Sequence, residues 1–435
     1  MKVWLIQIGE PVPLSVKDAR PLRTGMLAQN LRAKGHEVDW WASTFVHSKK
    51  INLYQKDTDT LLEDGSRLRL IYAPAYQKHI SIKRILHHRF LALRLADRLE
   101  KESAPDIIHC SYPTMEVADI VTRFGQRFHI PVILDIRDFW PDTFVEASRW
   151  WLKPAAWLYQ QMMLPFAKKV LARAYALSGT APGMVEWGAQ KVRRSIGRYD
   201  RSFPLGYQDS MKDEGKLVEA ARYWDEKGVV RNAKLLRICF FGTIGVRNLE
   251  WLLEMGKGLE ILESQGLPIQ FVICGDGEGL EILVKKFGRL KNTLFAGWVN
   301  SPQIWGLMQR SQMGILPYKQ TKDFKASIPN KGIEYLAGSL PILTSLEGYF
   351  LELLQERECG IRFENGFVMA QKLKEIYRDQ DRLQQMGQNA RRLFEEKFRA
   401  EKIYSELVQY LEEIVQDRRE ENGEDSQFPA HATSI

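Results

Sequence analysis

Residues 327–345, SIPNKGIEYLAGSLPILTS, read as a loop, a short helix and a buried strand, and the rest of the chain is organised around them. Pro329 at the helix start gives up an N–H that would be orphaned there anyway, and Gly338 is expected to end the helix in the left-handed conformation. The helix then opens with unpaired backbone N–H groups at the positive end of its dipole, with Lys331 in its first turn, which is an arrangement suited to a pyrophosphate. Ser327 and Ile328, which lead into the helix, belong to the same candidate donor-binding set. One turn on, Glu334 stands where it can accept two hydrogen bonds from a vicinal diol such as a ribose. A plainer reading also fits these residues: Glu334 merely complements its helix start, and Lys331 is solvated.

Around this stretch, apolar runs alternate with helical patterns, as in parallel sheets. The second half opens with LLRICFFGTIG at 235–245, a strand that delivers Gly242 and Gly245 into a turn, with Arg247 just before a helix. Glycines there let backbone amides approach a diphosphate, and Arg247 can neutralise it. Strands follow at 269–275, ending in GDGEG, and at 293–299, TLFAGWV. The first half opens with KVWLIQIG at 2–9, a helix near 23–34 and the strand of GHEVDWWAS. Ligands of open parallel sheets collect at the carboxyl ends of the strands, so Gly9 is a candidate for a ligand-facing loop, with Arg20 and Arg23 just beyond it as candidate anion contacts or else ordinary surface arginines. Strands at 106–110 and 132–136 end in His109 and in Arg137-Asp138-Phe139-Trp140-Pro141. Asp138 can orient or deprotonate a hydroxyl and Arg137 can hold a phosphate, although an Arg-Asp pair also serves as a plain ion pair.

At 435 residues the chain exceeds one hydrophobic core, so two domains are expected. We divide it into residues 1–200, a linker with an insertion at 201–234, a second domain at 235–400, a crossing helix at 401–417 and a disordered tail at 418–435. No apolar run spans a bilayer and no signal-peptide pattern opens the chain, which predicts a cytoplasmic protein. Four scattered cysteines read as reduced core residues. A formal charge of +8 favours anionic partners. Residues 56–64 read as a polar loop; its Asp57-Thr58-Asp59 has a metal-binding spacing, but no strand carries it to a cleft, and no metal is expected. Two segments, 77–102 and 149–173, mix apolar side chains with basic ones. Ile82, Ile85, Leu86, Phe90 and Leu93 mark the first, and Trp150, Trp151, Trp157, Met162, Met163 and Phe166 the second. This is the composition of interfacial membrane helices, set against the ordinary alternative that the stripes face the domain's own sheet.

The segment PNKGIEYLAGSLPIL resembles the nucleotide-binding segment of family-4 retaining glycosyltransferases of the GT-B fold, and the resemblance extends from the first strand to about Tyr404. It implies two facing Rossmann-like domains with a nucleotide-sugar between them and a C-terminal helix crossing back to the first. It also implies Glu334 on the ribose, a basic residue near Arg247, base contacts near Trp298 and Val299, and a glycine loop at Gly9 facing donor phosphates and acceptor. The family carries a further glutamate where this chain has Ala326, which leaves the donor-sugar contacts open. A sub-group sharing Arg-Asp-x-Trp-Pro adds sugars to polyprenyl-diphosphate-linked acceptors. The expected activity is therefore transfer, with retention, from a nucleotide diphosphate-sugar, expected to be a UDP-sugar, to a lipid-linked acceptor in cell-surface polysaccharide biosynthesis. The setting would be the inner face of the cell membrane, without a cofactor and without nucleic acid. Fold does not fix function, so a nucleotide-sugar epimerase or hydrolase and a non-catalytic membrane-assembly subunit stand as alternatives.

Overall fold

The computed structural model describes residues 1–14, 21–47, 49–77, 81–148, 150–208, 214–232, 234–245 and 248–423. The chain divides into two units, Met1–Phe203 with Glu401–Ile435, and Pro204–Ala400.

In the first unit the strands are β1 (Lys2–Ile6), β2 (Glu37–Ser43), β3 (Phe45–Val46), β4 (Ile51–Asn52), β5 (Thr58–Leu61), β6 (Arg67–Ile71), β7 (Ile107–Tyr112), β8 (Val132–Ile136), β9 (Ala176–Gly179) and β10 (Arg201–Ser202). Eight of them form one sheet in the order β10-β9-β8-β7-β1-β2-β6-β5, while β3 and β4 make a separate antiparallel pair. Every pairing in the large sheet is parallel except β5 with β6 at the edge. The helices are α1 (Arg23–Ala33), α2 (Ile82–Leu99), α3 (Met115–Phe128), α4 (Asp142–Ala147), α5 (Lys153–Ala172) and α6 (Pro182–Lys191). Residues 56–64, expected as a loop, hold the edge strand β5. Its polar alternation conceals it in the sequence, and cross-strand pairing of Asp59 with Arg69 at 2.7 Å helps hold it.

The second unit carries α7 (Glu214–Glu226), β11 (Leu236–Phe241), α8 (Leu249–Ser264), β12 (Ile269–Cys274), α9 (Leu280–Phe287), β13 (Thr293–Gly297), α10 (Ser301–Met308), β14 (Met313–Leu316), α11 (Lys322–Ala326), α12 (Asn330–Ala337), β15 (Ile342–Thr344), α13 (Tyr349–Glu356), β16 (Gly360–Arg362), α14 (Gly366–Arg378) and α15 (Gln380–Lys397). Its six strands are all parallel in the order β13-β12-β11-β14-β15-β16, so the order reverses between β11 and β14. Leu236, Ile238, Phe240, Phe271, Ile273, Met313, Ile315 and Leu343 build the sheet's share of the core. Both units are thus α/β layers of the Rossmann type, as expected.

The stretch expected to be a linker divides between the units. Residues 201–202 form β10 of the first sheet. Helix α7 packs on α10, with Trp224 fully buried and its indole N–H donating to the Gln303 carbonyl at 2.7 Å. Helix α7 is described from Glu214, and residues 209–213 before it lie outside the described ones. Helix α16 (Ala400–Glu421) returns the chain to the first unit, where Arg201 pairs with Glu413 at 2.7 Å and the Tyr410 hydroxyl donates to the Tyr199 carbonyl at 2.8 Å. It continues past residue 417, the expected end, because Arg419 still meets Asp106 at 2.8 Å; the tail from residue 424 lies outside the described residues.

Helix α12 is seated by Tyr335, which is fully buried and whose hydroxyl lies 3.2 Å from both the Cys239 and Ile315 carbonyls, on β11 and β14. The ring lies against Gly314, where a Cβ would overlap it. Gly314→Ala is therefore expected to lift α12 and cost about 1–3 kcal/mol through overpacking, read from the urea midpoint of unfolding.

Candidate nucleotide-binding and acceptor-side residues

A connection between parallel strands runs its helix antiparallel to them, so α12 begins at the edge where β11 to β16 end. Lys331 and Tyr335 are four residues apart and share one helix face. With Tyr335 pinned over the order reversal, Lys331 extends over the turn after β11, and a Cβ at Gly242 would collide with its Cε. Gly242 has φ +142°, a conformation that strains other residues. The Lys331 ammonium also lies 5.8 Å from the ring centroid of Tyr318, which is stacked on Phe324 at 4.7 Å. Lys331 and Gly242, 89 residues apart in the chain by subtraction, thus meet at the topological switch point. Pro329 is the N-cap rather than the first helical residue, and among the described residues the N–H groups of Asn330 and Lys331 have no partner. Ser327 and Glu334 are half-buried and Ile328 is buried.

Gly338 does not take the left-handed turn expected of it. Its φ is −76°, and Ser339 adopts +60° instead. Gly338 is needed for closeness: a Cβ there would lie 3.1 Å from the Met308 sulfur on α10.

The glycine loops after β11 and β12 pack backbone against backbone. The Gly242 N–H donates to the Cys274 carbonyl at 3.0 Å, the Ile244 N–H to Asp276 at 2.9 Å, and a Cβ at Gly275 would overlap the Gly242 carbonyl. Buried Asn248 accepts from the Gly245 N–H at 2.9 Å and donates to the Thr243 carbonyl at 2.7 Å. The amides of Gly242 and Gly245 are therefore engaged within the protein. This corrects the expectation that they face a diphosphate: the glycines shape the loop on which Lys331 rests. Arg247 lies outside the described residues. Next to these loops, the Gly275 N–H donates to the Gly297 carbonyl at 2.7 Å, at the end of β13. Trp298 follows with an exposed ring and Val299 with a buried side chain.

In the first unit the carboxyl ends of β1, β7 and β8 gather a buried charge network. Asp135 is fully buried and accepts from Arg23 Nε at 2.9 Å, Arg137 Nε at 2.8 Å and Ser178 Oγ at 2.9 Å. Arg137 donates onward to Glu10 at 2.8 Å and to Thr24 Oγ1 at 3.2 Å, and Glu10 also accepts from the Thr24 N–H in the first turn of α1 at 3.0 Å. Arg137 is thus an ion-pair residue in place of the phosphate holder expected of it. The same holds for Arg23, because each guanidinium faces carboxylates already inside the fold; Arg20 lies outside the described residues. Glu10, which completes the network, lies in a Gly-Glu-Pro sequence with no local sign of a partner 127 positions away. Asp138, half-buried after β8, accepts from the Thr143 hydroxyl. Gly9 is exposed, its N–H donates to the Gln7 side chain at 3.0 Å, and a Cβ there would meet nothing within 4 Å, so no close approach requires glycine at this position. Asp57 and Asp59 are occupied by Arg94 at 2.8 Å and by Arg69 and Arg98 at 2.7 and 2.8 Å. All four cysteines are buried and none forms a disulfide.

Burial would raise the Asp135 pKa, but Arg23, Arg137 and His109 outweigh it and hold the carboxyl well below its ordinary range. His109, 4.0 Å from Asp135, is lowered to about 4, chiefly by burial and further by the two arginines, against the pull of Asp135. A histidine depressed in the folded state contributes stability that is complete above its unfolded pKa near 6.5 and is lost as pH falls towards its folded value. The unfolding free energy from urea titrations is therefore expected to fall as pH goes from about 6.5 to about 4, by up to roughly 1.4 kcal/mol per pH unit for this one group. His109→Gln should flatten that limb. Below about 4 Asp135 adds a second loss, since the unfolded chain then takes up a proton there that the depressed carboxyl of the folded state does not.

Comparison with known proteins agrees with this architecture. Residues 22–195 match the family model of the glycosyl transferase 4-like domain, and residues 245–393 that of glycosyl transferases group 1. No curated protein matches the sequence. Among solved structures, sucrose-phosphate synthase from Thermosynechococcus elongatus aligns with TM-score 0.66 at 15% identity, over 96% of this chain and 99% of that one. Anabaena HepE in complex with UDP-glucose aligns with TM-score 0.61 at 12% identity, over 95% and 100%. An alpha,alpha-trehalose-phosphate synthase (UDP-forming) from Burkholderia vietnamiensis aligns with TM-score 0.66 at 10% identity, over 95% and 100%. Identities this low speak for the shared fold.

Proposed function

From a chain that carries the two domains of a GT-B glycosyltransferase, we propose a specific activity: retaining transfer of a hexose-type unit from UDP-sugar to a lipid-linked acceptor in polysaccharide assembly at the inner membrane face. The observation that carries this reading is Lys331 lying over the Gly242 turn at the head of α12, where the strand order reverses. A cation and two unpartnered N–H groups converge there, and a diphosphate leaving group develops charge that such a site stabilises. Glu334, one turn along, takes the ribose hydroxyls, and the exposed ring of Trp298 offers a face for the base. That HepE has been seen with UDP and with UDP-glucose supports uridine as the nucleoside.

In the transfer, the bond from the sugar's anomeric carbon to the diphosphate oxygen breaks as the acceptor oxygen bonds to the same carbon. The acceptor proton passes to the departing phosphate. Asp138 is the candidate for orienting the acceptor hydroxyl, with its own carboxylate steadied by Thr143. The Asp135 network serves this role indirectly, by fixing the loop that Asp138 opens.

Glu334→Ala is expected to weaken UDP binding by about 1.5–3 kcal/mol, and Lys331→Gln by a similar amount, in titration calorimetry. Unchanged affinity in both variants would remove α12 from the donor site. Asp138→Asn should leave UDP affinity unaltered while slowing transfer of labelled sugar into a polyprenyl-diphosphate fraction by about 10²-fold or more.

A further inference from the structure

Helix α2 is apolar on two opposite faces. Leu91, Leu95 and Leu99 are fully buried in the first unit, whereas Ile82, Leu86 and Leu93 are 75%, 57% and 67% exposed. At 3.6 residues per turn, these last three fall within about 40° of one line along the helix. The inward stripe already anchors α2, so the outward one adds nothing to packing and leaves apolar surface in water. Beside it, the 3-10 turn Trp150–Leu152 and the start of α5 expose Trp150 at 78%, Trp157 at 56% and Met162 at 70%. The two surfaces adjoin: α2 and α5 both pack on α3, and Arg84 of α2 acts electrostatically on Tyr159 of α5 and Glu116 of α3.

The exposed charges that these two segments themselves carry are of one sign. Lys83 and Arg89 on α2 and Lys153 and Lys169 on α5 are exposed, and neither 77–96 nor 150–173 contains an aspartate or glutamate. Half-buried acids lie on the elements packed against these segments: Glu116 of α3, Glu146 and Asp142 of α4, of which Asp142 accepts from Gln160 of α5 at 2.7 Å, and Asp57, paired with Arg94 of α2 at 2.8 Å. We infer that the outer faces of α2 and the 150–162 segment form a docking surface for an anionic lipid bilayer. The apolar side chains, tryptophans among them, would enter the acyl boundary while the lysines and arginines meet the headgroups. A second copy of this chain fits poorly, because docking the patch on itself would set like charges against each other.

The surface is tied to the acceptor side. Trp140 and Phe144 pack edge-on against Tyr159 of α5, at 6.3 and 5.0 Å between ring centroids. The loop that carries Asp138 is thus fixed to the docking helix and would be held beside the headgroups from which a lipid-linked substrate projects. This second part rests on the acceptor reading above; the docking itself does not.

The test uses the full chain, sedimented with vesicles of phosphatidylcholine alone or mixed with phosphatidylglycerol. The protein is expected to pellet with the anionic vesicles at low salt, to be released at high salt, and to ignore the neutral ones. Trp150→Ser/Trp157→Ser and Leu86→Ser/Leu93→Ser, all at exposed positions, should each bind about tenfold more weakly. Their thermal shift with UDP should match the parent's, which shows that they are folded. Retention of the parent in the supernatant with anionic vesicles overturns the docking surface, as would a dimer in ultracentrifugation that the same substitutions dissociate. Vesicle binding without any UDP-induced shift would instead count against the transferase reading and leave the surface standing.

Discussion

Parallel strands impose one constraint from which most of this molecule follows. Consecutive strands pointing the same way force each connection to bring the chain back, and so each intervening helix starts at the edge where the strands end. Polar backbone at helix starts, loop glycines and the strands' last side chains are therefore concentrated along one rim of each sheet. In the second unit this brings the head of α12, the turns after β11 and β12 and the exposed Trp298 to a common edge. In the first it brings Glu10, His109, Asp135 and Arg137 together, and there the concentration takes the form of a closed ionic network.

The two rims solve the same electrostatic problem differently. Around Asp135 two guanidiniums, a serine and a glutamate satisfy one another in the interior, a geometry that holds loops in place and that is costly to break because a lone charge would remain buried. Around Lys331 the cation is held by shape, with its stem over Gly242 and its ammonium near Tyr318, and no carboxylate pairs with it among the described residues. The first arrangement is satisfied within the fold, and the second is the one on which the proposed donor binding rests.

This contrast also explains which parts could be read in the sequence. The alternation of apolar runs and helical patterns gave away the sheets, and Pro329 and Gly338 bracketed α12 because these residues punctuate helices for strong local reasons. Long-range partners were hidden. Nothing near Arg23 announces a carboxylate 112 positions away, so its burial against Asp135 could not be anticipated. Gly338 is opaque for a related reason, since its small size answers to Met308 on another helix. The edge strand β5 was missed because a strand with one neighbour and two wet faces lacks an apolar signature. Periodicity showed that α2 was amphipathic but could not say that it presents two apolar stripes.

The second unit begins and ends at one place. The Tyr207 N–H donates to the Phe398 carbonyl at 2.9 Å, and the Ala400 N–H donates to the Tyr207 carbonyl at 3.2 Å. It is consequently a closed insert within the chain of the first, which resumes with α16. On the ribosome the order of completion is inverted: the later lobe has its whole sequence available before the earlier one, which waits for the last helix to emerge before Tyr199 and Arg201 find their partners.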